Sequence, residues 1–131
     1  MAMELHQKTS AIRGRLISVV DDDESVRESL PDLLREFGFT ARAFSSAEEF
    51  LLSDCVKQTR CLILDVAMPG MSGLDFQREL NHRGQEIPII FITAHKDEAI
   101  RVRAFEQKAV SFLYKPFSDT ALQEALKAAL G

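Results

Sequence analysis

Apolar positions along this chain follow two alternating patterns. Continuous short runs occur at Leu16-Ile-Ser-Val-Val20, Cys61-Leu-Ile-Leu64, Ile89-Ile-Phe-Ile92 and Val110 to Tyr114. Between them, apolar residues recur at spacings of three and four, as in Val26, Leu30, Leu33, Leu34 and Phe37. Short runs rich in Val, Ile, Leu and Phe read as strands buried on both faces, and the spaced stretches read as amphipathic helices. The pattern predicts strands over 15–20, 39–44, 61–65, 87–92 and 110–114. It predicts helices over 24–37, 74–82, 97–107 and 119–130, with a further one starting at Ser45 or Ser46. That further helix is expected to carry Phe50, Leu51 and Leu52 inward. Strict alternation of strand and helix predicts an α/β protein with a doubly wound, five-stranded parallel sheet flanked by five helices.

Punctuation supports these boundaries. Gly38 stands where the first helix needs a left-handed residue, and Gly84 ends the third. Ser45-Ser46 followed by Glu48 and Glu49 resembles a capped helix start, and Ser118 caps the last helix. Pro31 conflicts with its surroundings, because it removes a backbone bond to Arg27 inside the first helix at a cost of about 3 kcal/mol. A kink convex toward solvent is expected there, since the apolar spacing continues through it and argues against two short helices. Residues 1–14 carry no clear period and are expected to be a flexible arm ahead of one domain over 15–131.

Composition narrows the class. The chain has 131 residues, a net charge of −4 and no basic run, so no nucleic-acid-binding surface is expected. Cys55 and Cys61 are separated by five residues with no metal-site pattern around them, which favours reduced, buried thiols and a cytoplasmic protein. No apolar stretch approaches the ~18 residues of a membrane span.

The chemistry lies at the strand ends. The first run stops at Asp21-Asp22-Asp23, the third strand at Asp65, the fourth at Thr93 and the fifth at Lys115-Pro116. Open parallel sheets bind ligands outside the carboxyl ends of their strands, so these groups converge. Carboxylates gathered in one hollow repel, and at least one pKa rises unless a cation neutralises them. Mg²⁺ suits such a hard oxygen site. A carboxylate also serves as a nucleophile that forms an aspartyl-phosphate, and the phosphoryl group then needs a metal, a fixed cation and hydrogen-bond donors. Lys115 supplies the cation and Thr93 a hydroxyl. Taken singly, these residues have plainer roles: Asp23 or Glu24 as a helix cap, Thr93 as a strand former, Phe112 as core.

Together the segments Val-Val-Asp21-Asp22-Asp23-Glu-Ser-Val-Arg, Leu-Ile-Leu-Asp65-Val-Ala-Met-Pro-Gly-Met-Ser-Gly, Phe-Ile-Thr93-Ala and Phe112-Leu-Tyr-Lys115-Pro116-Phe resemble the receiver domain of two-component response regulators, most closely its FixJ/NarL side. The resemblance runs from about residue 15 to 130. It implies a flavodoxin-like fold with strand order 2-1-3-4-5, and a protein that is not an enzyme beyond its own phosphorylation and dephosphorylation. It implies that Asp65 accepts a phosphoryl group from a sensor histidine kinase or phosphotransfer protein. Mg²⁺ is then held by Asp22 and Asp65 side chains, by the Ala67 backbone carbonyl, and by Asp21 through water. Lys115 and Thr93 bind the phosphoryl group, Thr93 and Phe112 form the switch, and the Lys115–Pro116 bond is cis. Ala67 and His95 depart from the family's usual residues at positions that tune phosphoryl lifetime, and Lys108 stands where glycine is frequent. The face over 97–130 is where a phosphorylation-dependent homodimer is expected, with Arg101, Arg103, Asp119 and Glu124 available for pairing.

Two other readings compete. Asp21-x-Asp23-x-Ser25 after a strand resembles the nucleophile motif of haloacid-dehalogenase-type phosphatases, with Asp21 as nucleophile, but leaves Asp65 and its Gly/Pro loop unexplained. A phosphorylation-independent interaction module on the same fold is the second.

Overall fold

The computed structural model describes residues 15–131, so the arm expected over 1–14 lies outside the described residues. Ten elements alternate strictly: β1 (Leu16–Val20), α1 (Glu24–Glu36), β2 (Thr40–Phe44), α2 (Ala47–Leu52), β3 (Thr59–Asp65), α3 (Gly73–His82), β4 (Ile89–Thr93), α4 (Glu98–Glu106), β5 (Ser111–Tyr114) and α5 (Asp119–Leu130). The strands form one sheet in the order β2-β1-β3-β4-β5, and every pair is parallel.

Successive strand side chains point to opposite faces, so each central strand feeds two cores. Leu62 and Leu64 of β3 join Phe50, Phe76, Leu80 and Phe91 on one face. Cys61 and Ile63 join Leu30, Leu34, Leu122 and Leu126 on the other. That is why β3 and β4 read as apolar runs rather than alternating ones, and β1 as a run broken only by Ser18, whose hydroxyl is bonded to that of Thr59 at 2.7 Å. The free thiol of Cys61 is fully buried, and burial pushes it up to about 12.

Two boundaries shift for local reasons, and one that matters for the site stands where expected. Strand β4 begins at Ile89 because Pro88 has no N–H for the ladder; its carbonyl still accepts from Leu62 N at 2.9 Å. Helix α3 begins at Gly73, one residue early, because Ser72 is its cap and accepts from Asp75 N. Asp65 is the last residue of β3, opposite Ile92, and so is held by the ladder itself.

One inward assignment is wrong. Phe50 is fully buried and Leu51 half-buried, but Leu52 is 89% exposed. Consecutive helical residues are turned by about 100°, so three in a row do not share a face. Helix α1 runs unbroken through Pro31, whose ring is buried between Leu30 and Leu34. Gly38 at φ +99 and Gly84 at φ +72 take the left-handed positions, and so does Lys108, at φ +75.

Candidate functional site

Residues from four strand ends meet at the carboxyl edge of the sheet. Asp21 follows β1, and its backbone N–H donates to Phe44 O at 3.1 Å, extending the pairing past the strand. Its side chain is fully buried. One carboxylate oxygen accepts from Asp23 N at 2.9 Å, and the other accepts from Lys115 Nζ at 2.8 Å. Arg27, one turn into α1, donates to the Asp21 carbonyl at 3.0 Å, so the helix anchors the turn that carries the acid. Asp23 is the N-cap of α1, accepting from Ser25 N and Ser25 Oγ, and this holds its pKa below the usual aspartate value. The plain reading of Asp23 as a cap is therefore the observed one.

Asp65 is 5% exposed, and Lys115 Nζ lies 3.9 Å from its Oδ1. Carboxylate oxygens of Asp21, Asp22 and Asp65 lie within 4.8 Å of one another. Burial first, and then the neighbouring Asp21, push the Asp65 pKa up to about 7 despite the pull of Lys115. Burial disfavours the Lys115 charge, but the hydrogen bond to Asp21 and the facing Asp65 outweigh it, and its pKa is raised. The arrangement thus holds more negative charge than one ammonium neutralises. Three oxygen donors, one of them exposed at the mouth, fit a hard divalent cation. A small pocket of about 150 Å³ opens onto these groups, walled also by Ala67, Thr93 and His95.

Thr93 ends β4 opposite Tyr114, and its carbonyl accepts from Lys115 N at 2.7 Å. Its hydroxyl accepts from His95 N at 3.1 Å and lies 3.3 Å from His95 O. Phe112 is buried, 6.0 Å from Phe91 and 5.6 Å from Tyr114 between ring centroids. Lys96 lies over the outer side of this row, its Nζ 5.9 Å from the Tyr114 ring centre. His95 and Ala67 are exposed at the rim. The Lys115–Pro116 bond is cis.

Two positioning features escaped the sequence reading. Gly73 opens α3, where a Cβ would lie 2.5 Å from the Asp65 carbonyl oxygen and 3.0 Å from Val66 Cα. Its N–H donates to Val66 O at 2.9 Å, so the helix start grips the backbone beside Asp65. The signal was a glycine at a first helical turn, directly after a capping Ser72, where glycine otherwise weakens a helix. Arg27 was the other, and its spacing from Asp21 carries no such signal.

Comparison with known proteins gives the family. Residues 17–127 match the family model described as response regulator receiver domain. Nodulation protein W of Bradyrhizobium diazoefficiens is 49% identical over 121 residues, covering 92% of this chain and 53% of that protein. Response regulator protein TodT of Pseudomonas putida is 47% identical, covering 90% of this chain and 52% of its own length. Among solved structures, response regulator StyR superposes with a TM-score of 0.83 at 46% identity, covering 89% of this chain and 59% of that one. FixJ-N gives 0.80 at 39% identity over 88% of this chain and 93% of its own. The chain belongs to the response regulator receiver domain family. It spans about half the length of the curated relatives it matches. That membership removes the phosphatase reading built on Asp21. In keeping with it, Asp23, the acid that reading requires, is tied up as a helix cap.

Proposed function

We propose that Asp65 accepts a phosphoryl group from the phosphohistidine of a sensor kinase or phosphotransfer protein. A carboxylate oxygen attacks phosphorus, a P–O bond forms and the P–N bond breaks, returning the histidine to the donor. The observation that carries this reading is Asp65 itself: a nearly buried carboxylate at a strand end, beside an ammonium and a second buried acid. Mg²⁺, when bound, neutralises charge on the incoming phosphoryl group and orients it. Asp22 and Asp65 would hold it by side-chain oxygens, Ala67 by its backbone carbonyl, and Asp21 through water. Lys115 is within reach of both acids and holds its proton, so it is fit to pin the product phosphoryl group.

The output is a change of surface. The Thr93 hydroxyl moves from His95 to the phosphoryl oxygen, and Phe112 follows the space it leaves. This biases the face made by α4, β5 and α5 toward a partner. Val102 and Phe105 of α4 are 47% and 39% exposed, and Arg101 and Arg103 flank them. Such a face suits a second copy of this chain. The domain works in the cytoplasm, a placement supported by its two buried free thiols.

Incubation with Mg²⁺ and acetyl phosphate, followed by intact mass, tests the chemistry. One added phosphoryl unit is expected, absent from Asp65→Asn; an adduct that survives that substitution rejects the assignment, and no adduct on the unaltered chain favours an interaction module. The rim residues set how long the adduct lasts, because the small Ala67 leaves the pocket mouth open to water and His95 lines it. Ala67→Asn and His95→Glu are expected to change the half-life, and unchanged decay in both rejects that role.

A further inference from the structure

We propose that Gln77 pins the C-terminal end of α4 to α3, so that the output helix turns about that end when Thr93 moves. The proposal rests on the reading of Thr93 as the switch. Gln77 is 1% exposed, and its Nε2 donates to Gln107 O at 3.0 Å and lies 3.4 Å from Ala104 O. Those carbonyls belong to the last turn of α4 and its cap; the Ala104 carbonyl already accepts from Ala109 N, so the bond to Gln107 O is the one that Gln77 supplies to the helix end. The orientation of the amide is fixed, because exchanging its oxygen and nitrogen would set an acceptor against two carbonyls.

Helix α4 has little else to hold it. Ala104 is its one buried residue, and Ile100 is half-buried against the core. By contrast, α3 buries Gly73, Leu74, Phe76, Gln77 and Leu80. The two ends of α4 also differ. Residues 94–97, which join it to Thr93, and the first two residues of the helix are all exposed, and its first turn is capped by the adjacent Asp97. The far end continues into Lys108 and the buried Ala109, whose N–H donates to Ala104 O at 2.9 Å. Below the Gln77 bond the helices part around a cleft of about 650 Å³, lined by Asn81, Gln107 and Lys108 among others. The amide therefore bridges a gap that side-chain packing does not close.

Gln77 also carries a cost that marks it as a specific device. Its Oε1, like that of Gln107, is buried with no hydrogen-bond partner among the described residues. An apolar residue of the same length would fill the space without that loss. What the glutamine adds is the tether. A pull on Thr93 then swings the free end of α4, carrying Ile100 and Val102, about a fixed point near Gln107.

Gln77→Met keeps the length and removes the donor, and Gln77→Asn keeps the amide but falls one methylene short. Hydrogen exchange on the whole chain, with and without the phosphoryl mimic beryllofluoride, reads both variants. In the resting protein, amides of 104–109 are expected to lose about 3- to 10-fold of their protection, as one neutral hydrogen bond allows, while those of β1 and β3 keep theirs. On adding beryllofluoride, the unaltered chain should change over 94–101 and hold at 104–109, and in the variants the change should extend through both. Unaltered protection at 104–109 in both variants overturns the clamp. Equal response of both ends of α4 in the unaltered chain overturns the pivot. No response to beryllofluoride anywhere rejects the phosphoryl-acceptor reading and the pivot with it, while the resting exchange still decides the clamp.

Discussion

Asp65 and Gly73 show how two single atoms govern the site. With its pKa raised to about 7 from the ordinary 3.8, Asp65 binds a proton more readily folded than unfolded. The stability it contributes is complete below the unfolded value and is lost as pH rises through about 7. A cation in the pocket replaces the proton above that point. Mg²⁺ is therefore expected to raise the melting temperature more at pH 8 than at pH 6. Equal shifts at both would show that Asp65 does not take part in binding it. Gly73 acts through its missing Cβ. In Gly73→Ala the new carbon meets backbone atoms on two residues, which have no rotamer to yield. A loss of about 1–3 kcal/mol in urea unfolding is expected, the range for forced overpacking. Labelling by acetyl phosphate should slow in parallel, because the contact is with Asp65 itself. Full stability in that variant would mean the helix start can shift freely.

The elements differ in how firmly they are held, and the turn between α4 and β5 carries the clearest conflict. Lys108 sits at φ +75, where a side chain costs about 1–2 kcal/mol. Lys108→Gly removes that cost but adds backbone freedom to the unfolded chain, worth about 0.5–1 kcal/mol. A net gain of roughly 0.5–1 kcal/mol is expected in thermal or urea unfolding, by the balance of those two effects. A loss would mean that the stem of Lys108 packs usefully at the edge of the cleft beside it. Helix α1 shows the opposite case, since its missing bond at Pro31 is tolerated where Leu30 and Leu34 anchor both sides.

At the scale of the molecule, the fold was legible because a sheet buried on both faces leaves a distinctive trace: apolar runs that each stop at a polar residue. The site was legible for the same reason, since strand ends are where ordered runs hand over to loops, and Asp21, Asp65, Thr93 and Lys115 stood there in sequence. What stayed hidden depended on distances that periodicity does not encode. Leu52 fell outside because α2 is too short to repeat its stripe. Gln77 looked like any polar residue of α3, because its partners lie 27 and 30 positions away. The exposed Val102 and Phe105 give the whole molecule a testable assembly. Light scattering is expected to show a larger particle with beryllofluoride than without. Val102→Glu with Phe105→Glu should abolish that growth while leaving beryllofluoride binding intact. A monomer in both states of the unaltered chain rejects the dimer.

The Arg15 guanidinium reaches to within 3.5 Å of the Leu130 carbonyl. The strand that opens the described chain and the helix that closes it thus share one corner, at the edge of the sheet opposite Asp65. That corner stands a full strand length from Asp65, roughly 17 Å at five residues. A signal that leaves Asp65 by Thr93 and α4, as proposed, runs along the flank of the sheet, and the Arg15–Leu130 corner lies off that route.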